Sequence, residues 1–363
     1  MPADTREPLR LGVLGAARIA PLSLFTPAAI TGDRIVAVAA RSPARAAAYA
    51  AEHGIERVAA SYEDLIADPQ VEAIYDPLAN GLHGGWNLRV LAAGKHLLTE
   101  KPSAANAEQA REVAAMVEGT GQVFLEGFHY PYHPLFQRAV SLAVDGAIGE
   151  IVHIDVPLLM PDPGADDPRW SLSLAGGSGM DLGCYSLSCL HLLGSALCGG
   201  SFAVQTARTT QRDGAPGVDE TLAFTGVFPS GATGSGGSSM VASEQSFTLV
   251  ITGTAGEIVV PNFPLPNQDD RLILRAGTSN VSPPRKRTAP GDADDLLAER
   301  DGDVVEHLGT RSTYTYQLEA FGAAVRNGAP VITDAAFSVR VMELVDAAYE
   351  HAGLPLRPAT PVS

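Results

Sequence analysis

The chain has 363 residues, of which 45% are hydrophobic and 18% charged, and this composition is typical of a folded globular protein. Its length exceeds what one hydrophobic core usually serves, so two domains are expected. The 25 basic and 41 acidic side chains leave a formal net charge of −16, which disfavours nucleic acid and anionic membranes as partners. Residues 1–10 lack the apolar run of a secretory signal, and no later stretch is long enough to span a bilayer. A cytoplasmic location is therefore expected.

The first third of the chain alternates between short apolar strands and helices. Strands are predicted near Leu11 and over residues 34–40, 71–75, 96–99 and 122–125, and helices from about Arg18 and over residues 43–53, 86–93 and 107–118. Such alternation is typical of right-handed crossovers, which build a parallel sheet that binds ligands at the carboxyl ends of its strands. The pattern predicts a doubly wound α/β domain over residues 1–126.

After residue 149 the sequence changes to strand-like runs joined by glycine, proline and aspartate turns. The runs cover residues 150–159, 201–209, 220–227, 232–240 and 246–251, and helices are predicted at 183–193, 316–326 and 335–351. They predict a second α/β domain over residues 127–363 with a mostly antiparallel sheet, whose last helix can pack back on the first domain. Residues 278–303, dense in proline and charge, are expected to form a solvated excursion.

The glycine- and serine-rich stretch 231–239 has two interpretations. As a linker it would be disordered, whereas its position between strand-like runs and its alternation favour a strand with small side chains.

Three cysteines, Cys184, Cys189 and Cys198, leave an odd count within one short region. Reduced, buried thiols fit this count better than a disulfide framework. A zinc site is the alternative, but the spacing lacks the close pairs that such sites use, so no metal is predicted.

The first predicted turn carries a weak dinucleotide-binding pattern. From Gly15 to Ala20 small residues fall where a G-x-G-x-x-A turn has them, with alanine at the second glycine position. The turn must let the backbone approach a pyrophosphate and must point helix N–H groups at its charge. Candidate cofactor contacts are therefore Gly15, Ala17, Arg18 and Ile19. The alternative is a tight strand-to-helix turn that binds nothing.

The end of the second predicted strand indicates which dinucleotide binds. NAD sites usually place an acidic side chain there, but this strand ends at Arg41 and Ser42, with Arg45 one turn further on. Guanidinium groups suit a ribose 2′-phosphate. In the alternative view both arginines are exposed helix-start residues, although that placement is mildly unfavourable to the helix dipole. NADP is therefore predicted over NAD.

Two later segments contain groups suited to proton transfer. Glu100, Lys101 and Pro102 follow the fourth predicted strand, at a carboxyl end where ligands bind. Asp181 and Tyr185, four residues apart at a helix start, share one helix face. Taken alone, Lys101 is equally a surface charge beside a turn, and Tyr185 a core side chain with a satisfied hydroxyl.

Together these segments resemble the glucose–fructose oxidoreductase, inositol dehydrogenase and rhizopine-catabolism (Gfo/Idh/MocA) family, in the branch of dimeric dihydrodiol dehydrogenase and NADP-dependent xylose dehydrogenase. The matching landmarks are the Gly15 turn and residues 61–65, 80–83, 93–96, 100–102, 169–170, 181–185, 252–256 and 352–354. The resemblance implies an N-terminal Rossmann domain and a C-terminal domain with a large open antiparallel sheet. It also implies a homodimer or homotetramer built through that sheet, and a cis Lys101–Pro102 peptide.

The resemblance further implies roles for individual residues. Lys101 would lie beside the nicotinamide and the substrate hydroxyl, Tyr185 would exchange the proton, and Asp181 would lie within the site. Lys101 would also lower the pKa of Tyr185, because an ordinary phenol with a pKa of about 10 is a slow proton donor and acceptor at neutral pH. Further cofactor contacts are expected at Pro77, Leu78, Asn80, His83, Glu100, Lys101 and Pro102, and substrate contacts at Arg169 and Trp170.

Two departures from the family pattern bear on the substrate. The run over residues 126–134 has proline in place of the usual arginine, so His129 and Tyr132 are candidates to line an altered pocket. Asp76 stands where relatives keep an apolar side chain, and it would either repel the cofactor phosphates or bind a ribose hydroxyl.

The sequence thus predicts an NADP-dependent oxidoreductase that acts on a hydroxyl or carbonyl carbon of a sugar, glycoside or cyclic diol. One alternative is a glycosidase that uses bound NAD for transient oxidation. Another is a non-catalytic, nucleotide-sensing regulator on the same fold. Lys101 and Tyr185 argue against the regulator, since a sensor has no need of a proton-transfer pair.

Overall fold

The computed structural model describes residues 6–277 and 297–362, and within them the first sheet is parallel, as predicted. Its strands run in the order β2-β1-β3-β4-β5. They are β1 (Arg10–Leu14), β2 (Arg34–Ala39), β3 (Ala73–Asp76), β4 (His96–Thr99) and β5 (Phe124–Glu126). An isolated parallel bridge between Val38 and Val58 continues the sheet beyond β2. The carboxyl ends of all five strands therefore meet at one edge.

Helices connect these strands. They are α1 (Thr26–Thr31), α2 (Pro43–His53), α3 (Tyr62–Ala67), α4 (Asn80–Ala92) and α5 (Ala107–Thr120). A π-helical turn over Pro21–Phe25 leads into α1. Helix α4 begins well before residue 86, where the sequence predicted it, because three glycines in its first turns hide its helical pattern. These glycines are needed for packing, since a side chain at Gly84 would collide with Gln109.

The second sheet is large and mostly antiparallel, which confirms the predicted architecture. Its strands are β6 (Ile151–Leu159), β7 (Ala203–Gln211), β8 (Asp219–Val227), β9 (Thr233–Ser239), β10 (Ser246–Phe247), β11 (Leu249–Gly253), β12 (Gly256–Val260), β13 (Arg271–Ala276) and β14 (Val304–His307). The order is β14-β13-β12-β11-β6-β9-β8-β7, with β10 paired to β6. Only β6 and β9, among the described strands of this sheet, pair in parallel.

The glycine- and serine-rich stretch is a strand, β9, in the middle of this sheet. Its small residues are required because bulky groups cover one of its faces. A Cβ on Gly234 would lie 2.7 Å from the ring of Phe202, and one on Gly236 would lie 3.0 Å from the ring of Phe224. Helix α7 (Cys184–Leu197) also lies on this strand, where the Ser186 hydroxyl donates to the Gly237 carbonyl at 3.1 Å.

The remaining helices are α6 (Pro134–Val144), α8 (Thr313–Asn327) and α9 (Ala335–His351). Helix α8 packs against α1, and α9 packs against both α5 and α7. The last two helices thus return to the first sheet, and the division of the chain at residue 126 stays a prediction. No helix in residues 6–277 or 297–362 has the length and apolar character needed to cross a membrane. Most of the predicted excursion at 278–303 lies outside the described residues.

Candidate active site

The glycine turn after β1 has the geometry that a dinucleotide requires. Gly15 has a φ of 89°, and its N–H donates to the Ala39 carbonyl at 2.7 Å. A Cβ at this position would lie 2.9 Å from the Leu78 side chain, so only glycine fits without movement. Because Ala17 and Ile19 then lead directly into the helical turn, the turn can present free backbone N–H groups to a pyrophosphate.

The arginines after β2 lie beside this turn. Ser42 caps α2 by accepting a hydrogen bond from the Arg45 N–H at 3.3 Å, and Arg41, Ser42 and Arg45 are all exposed. The Arg45 guanidinium donates to the Ala16 carbonyl at 2.7 Å, which brings it to the glycine turn. These residues fit a dinucleotide: the turn would hold the pyrophosphate, and the two arginines would hold a 2′-phosphate.

His83 and Glu100, both expected to contact the cofactor, are buried and bond to neighbouring segments of the chain. The His83 ring bonds through Nδ1 to the Pro102 carbonyl at 2.7 Å and through Nε2 to the Leu78 carbonyl at 2.8 Å. Glu100 accepts from the Tyr75 hydroxyl at 2.7 Å, and burial raises the pKa of its carboxyl. These bonds brace the loops that follow β3 and β4.

Pro77, Asn80 and Asp76 belong to the loop between β3 and α4. Pro77 is buried, and Asn80 is the half-buried first residue of α4. Asp76 is fully buried and accepts from the Leu78 N–H at 3.1 Å, and burial raises the pKa of its carboxyl to about 8. The charge that Asp76 was expected to bring to the cofactor is therefore largely removed at neutral pH.

Lys101, in the loop after β4, and Tyr185, in the first turn of α7, lie close together. The Lys101 ammonium lies 5.1 Å from the centre of the Tyr185 ring and donates to the Asp181 carbonyl at 2.7 Å and to its carboxylate at 3.1 Å. Arg169 donates from Nε to the other oxygen of that carboxylate at 2.8 Å. The Lys101–Pro102 peptide is cis, as expected from the resemblance. The structure therefore brings together residues from β4, the loop after β6, and α7.

The charges at this centre stabilise one another. Although burial alone would raise the pKa of the Asp181 carboxyl, Lys101 and Arg169 hold it below its ordinary value. Burial likewise opposes the Lys101 ammonium, but Asp181 and weaker neighbours raise the pKa of Lys101. Both groups are thus charged at neutral pH, and the ammonium is held in one orientation.

The expected lowering of the Tyr185 pKa is wrong. Burial, followed by the nearby Tyr314 and Glu100, raises the pKa of Tyr185 well above the ordinary value for a phenol. The Lys101 ammonium, which lies over the ring and is paired with Asp181, does not offset this burial. Tyr185 therefore carries its proton at neutral pH.

A buried network positions the helix start that carries Asp181 and Tyr185. Asp219 accepts hydrogen bonds from the Ser178 hydroxyl at 2.8 Å and the Gly179 N–H at 2.6 Å, at the beginning of the π-helical turn Gly179–Gly183. Arg357 donates to Asp219 at 2.5 Å, and both side chains are fully buried. Sequence reasoning missed this pair, because one aspartate before a strand and one arginine near the chain end form no local pattern.

The four expected substrate contacts separate into two groups. Arg169 and His129 join the centre, since the Tyr185 hydroxyl bonds to His129 Nε2 at 3.0 Å. Tyr132 instead bonds to the Thr333 hydroxyl at 3.1 Å, and its ring belongs to an apolar cluster of the first sheet. The Trp170 indole donates to the Gly164 carbonyl at 3.0 Å and stacks under Arg212.

An ion-pair chain connects the glycine turn to the group of Lys101, Asp181 and Arg169. Arg18 donates to Asp167 at 2.7 Å, and Asp167 also accepts from Arg169 at 3.2 Å. Because Arg169 in turn pairs with Asp181, charged contacts run without a break from the expected pyrophosphate turn to Lys101.

The three cysteines are buried, and their thiols are free. Within the described part of the chain, no group of three histidine, cysteine, aspartate or glutamate side chains could hold a metal ion.

A doubly wound sheet with a dinucleotide turn, joined to a buried lysine–tyrosine pair at the same edge, defines a dinucleotide-dependent oxidoreductase. Residues 9–128 match the profile of the Gfo/Idh/MocA oxidoreductase family with its NAD-binding Rossmann fold, and residues 136–259 match the profile of the Gfo/Idh/MocA C-terminal domain. The chain belongs to this family, as its resemblance implied.

Similar proteins support this assignment. The chain is 35% identical to D-xylose 1-dehydrogenase (NADP(+)) 2 of Haloferax volcanii, over 95% of this chain and 97% of that protein. It is 33% identical to trans-1,2-dihydrobenzene-1,2-diol dehydrogenase of Sus scrofa, over 61% of this chain and 64% of that protein. A solved 3-ketoreductase from Actinomadura kijaniata, 24% identical, has the same fold, with a TM-score of 0.80 over 94% of this chain and 97% of that one.

Proposed function

We propose that the chain is a cytoplasmic, NADP-dependent dehydrogenase or reductase that moves a hydride between nicotinamide and the hydroxyl or carbonyl carbon of a sugar, glycoside or cyclic diol. The observation that carries the proposal is the Lys101 ammonium, whose side chain is 13% exposed and which Asp181 holds at 5.1 Å from the centre of the Tyr185 ring. The names of the xylose and dihydrobenzenediol dehydrogenases support the substrate class and the first of them supports NADP.

The bound nicotinamide would supply the acceptor or donor of the hydride, and the rest of the chemistry falls to side chains of this chain. When a substrate hydroxyl is oxidised, its oxygen develops alkoxide charge, which the oriented Lys101 ammonium stabilises by electrostatic attraction. In reduction Tyr185, which carries its proton, donates it to the carbonyl oxygen and is reprotonated from solvent; in oxidation it accepts the hydroxyl proton as it releases its own phenol proton to solvent. Asp181 keeps the ammonium charged and oriented, while its second oxygen positions Arg169 at the edge of the site.

The direct test follows nicotinamide absorbance while the purified protein is incubated with NADP or NADPH and a panel of aldoses, ketosugars and dihydrodiols. Lys101→Ala and Tyr185→Phe should each lower kcat by roughly 10²- to 10⁴-fold, because each removes a group that acts on the substrate oxygen. Cofactor affinity, measured separately by calorimetry, should change little.

A lysine and a tyrosine that lie outside the candidate site provide matched controls for these two substitutions. Lys95→Ala removes an ammonium that bonds to backbone carbonyls of Asp68 and Val71, and Tyr316→Phe removes a half-buried hydroxyl of α8. Both controls should keep normal turnover.

Full activity of the Lys101 and Tyr185 variants would remove the basis of the proposal. Release of sugar from a glycoside without net cofactor reduction would instead point to a glycosidase that oxidises transiently.

We also propose a homodimer or homotetramer built through the open face of the second sheet. The supporting observation is that the exposed face of β7 and β8 is made largely of short, uncharged side chains such as Thr206, Ala223 and Thr225, with Arg208 beside Ala223. The hydroxyls of adjacent Thr206 and Thr225 bond to each other at 2.8 Å, which fixes the orientation of both side chains where a second copy would pack.

A further inference from the structure

The Tyr185 hydroxyl has a partner that the proposed reaction does not explain. His129 lies in the loop after β5, with 1% of its surface exposed, and its Nε2 is 3.0 Å from the Tyr185 oxygen. Its Nδ1 is 2.7 Å from the Thr313 hydroxyl, at the start of α8. The ring also stacks on Tyr314, with 3.9 Å between the ring centres. The imidazole is therefore held in one position and one orientation.

Hydrogen-bond accounting determines where the protons of this chain lie. A threonine hydroxyl has one proton, and that of Thr313 goes to the Pro264 carbonyl, which only accepts, at 3.1 Å. The Thr313 oxygen must then accept from His129, so the imidazole proton is on Nδ1. A neutral imidazole with its proton on Nδ1 offers only a lone pair at Nε2. The Tyr185 hydroxyl is therefore the donor in its bond to His129.

The surroundings of His129 keep the ring neutral. Burial, together with the positive charge of Lys101 and the neighbouring His133, lowers the pKa of His129 to about 3. The other groups in contact with the ring, Tyr185, Tyr314 and Thr313, are uncharged at neutral pH.

We infer that His129 is a positioning residue for Tyr185: by accepting the hydrogen bond of the phenol at Nε2, it leaves the lone pairs of the phenol oxygen free to accept a hydrogen bond from a substrate hydroxyl. This inference rests on the proposed function and deepens it. A phenol that rotated freely would present its proton to the cleft part of the time and would then repel the proton of an alcohol substrate. Thr313 and Pro264 act one step further away, because they determine which ring nitrogen of His129 carries the proton.

The first test measures the tautomer and does not need activity. The whole protein is labelled with ¹⁵N-histidine, and correlation spectra distinguish protonated from unprotonated ring nitrogens; His129→Gln identifies the signals of this residue. The wild type and Thr313→Ser, which keeps the hydroxyl, should show His129 protonated at Nδ1. Thr313→Val removes the acceptor, so the proton should move to Nε2, from which it is donated to the Tyr185 oxygen. A wild-type ring protonated at Nε2, or a Thr313→Val ring that keeps its proton on Nδ1, would overturn the inference.

The second test is kinetic and uses whichever alcohol substrate the panel identifies. Thr313→Val should lower kcat for alcohol oxidation about tenfold, with the KM for the cofactor unchanged, while Thr313→Ser should stay within about twofold. A melting temperature for each variant separates this effect from loss of folding. Normal kcat in Thr313→Val with the proton moved to Nε2 would refute the positioning role even though the tautomer was correct. If no substrate turns over, the proposed function fails, and the tautomer measurement still decides the proton assignment.

Discussion

At the residue scale, one carboxylate organises the charges of the candidate site. Asp181 accepts from Lys101 and from Arg169 with separate oxygens, so it holds two cations at fixed positions while remaining charged itself. The pair Asp181 and Tyr185 was recognisable in the sequence because residues four apart share a helix face. The pKa of Tyr185 was not predictable in the same way, since it depends on burial by neighbours from three other segments.

The choice of cofactor also belongs to this scale. Replacing Arg41 and Arg45 together with alanine should weaken NADP binding by roughly 10- to 100-fold, because a phosphate dianion loses its charge-assisted hydrogen bonds. NAD, which lacks that phosphate, should bind the variant almost as before. Calorimetric titration of both cofactors measures the ratio, and Arg340→Ala, an exposed arginine of α9, serves as the control. An unchanged preference for NADP would mean that other groups recognise the phosphate.

At the element scale, Glu126 connects three parts of the fold at the end of β5. Its carboxylate accepts from the Ser103 N–H at 2.6 Å and from the Ser338 hydroxyl at 2.5 Å, so it joins β5 to the loop after β4 and to α9. The side chain is fully buried, and burial raises its pKa to about 6 despite these bonds. The carboxyl group is thus a point where the packing of elements depends on pH.

Because the folded pKa of Glu126 lies above the unfolded value of about 4.3, the folded chain keeps this proton where the unfolded chain has lost it. The stability that Glu126 contributes is therefore complete below about pH 4 and falls as pH rises toward 6. Glu126→Gln does not titrate. Relative to this variant, the wild type should lose about 2 kcal/mol of unfolding free energy between pH 4 and pH 7, measured by urea unfolding. A constant difference across that range would show that Glu126 titrates normally.

At the scale of the whole molecule, the end of the chain connects the two sheets. After α9 the chain returns to the first domain, where the Thr360 N–H donates to the Gly81 carbonyl at 3.0 Å and Arg89 donates to the Val362 carbonyl at 2.7 Å. Arg357, in the same segment, forms the buried ion pair with Asp219 that supports the turn leading into α7. The residues after α9 therefore contact both α4, beside the first sheet, and Asp219, in the second sheet.

Arg357→Leu leaves the Asp219 carboxylate buried without its cation, so it should destabilise the protein by about 3 to 5 kcal/mol. Arg340→Leu, which breaks an exposed pair with Glu343 at 2.8 Å, should cost at most about 1 kcal/mol. Chemical unfolding of both variants gives the comparison. Equal, small losses would indicate that Ser178, Gly179 and Tyr349 are sufficient partners for Asp219.

The proposed assembly is the second prediction at this scale. Placing an arginine at Thr225, in the middle of the exposed face of β8, should lower the mass measured by light scattering to that of a single chain, because a buried unpaired charge is costly at an interface. The equivalent change at exposed Ala92, the last residue of α4, should leave the mass unaltered. A single-chain mass for the wild type would contradict the proposal directly.

The sequence by itself determined the two kinds of sheet, because local periodicity carries that information, and the resemblance of its motifs to the family implied that Lys101 and Tyr185 share one site. Only the tertiary structure decided the bond from Tyr185 to His129, 56 residues away, and the pair of Asp219 with Arg357, 138 residues away. Such contacts leave no local pattern. Burial, which sets the pKa of Tyr185 and the neutral state of His129, is likewise a property of all surrounding segments together.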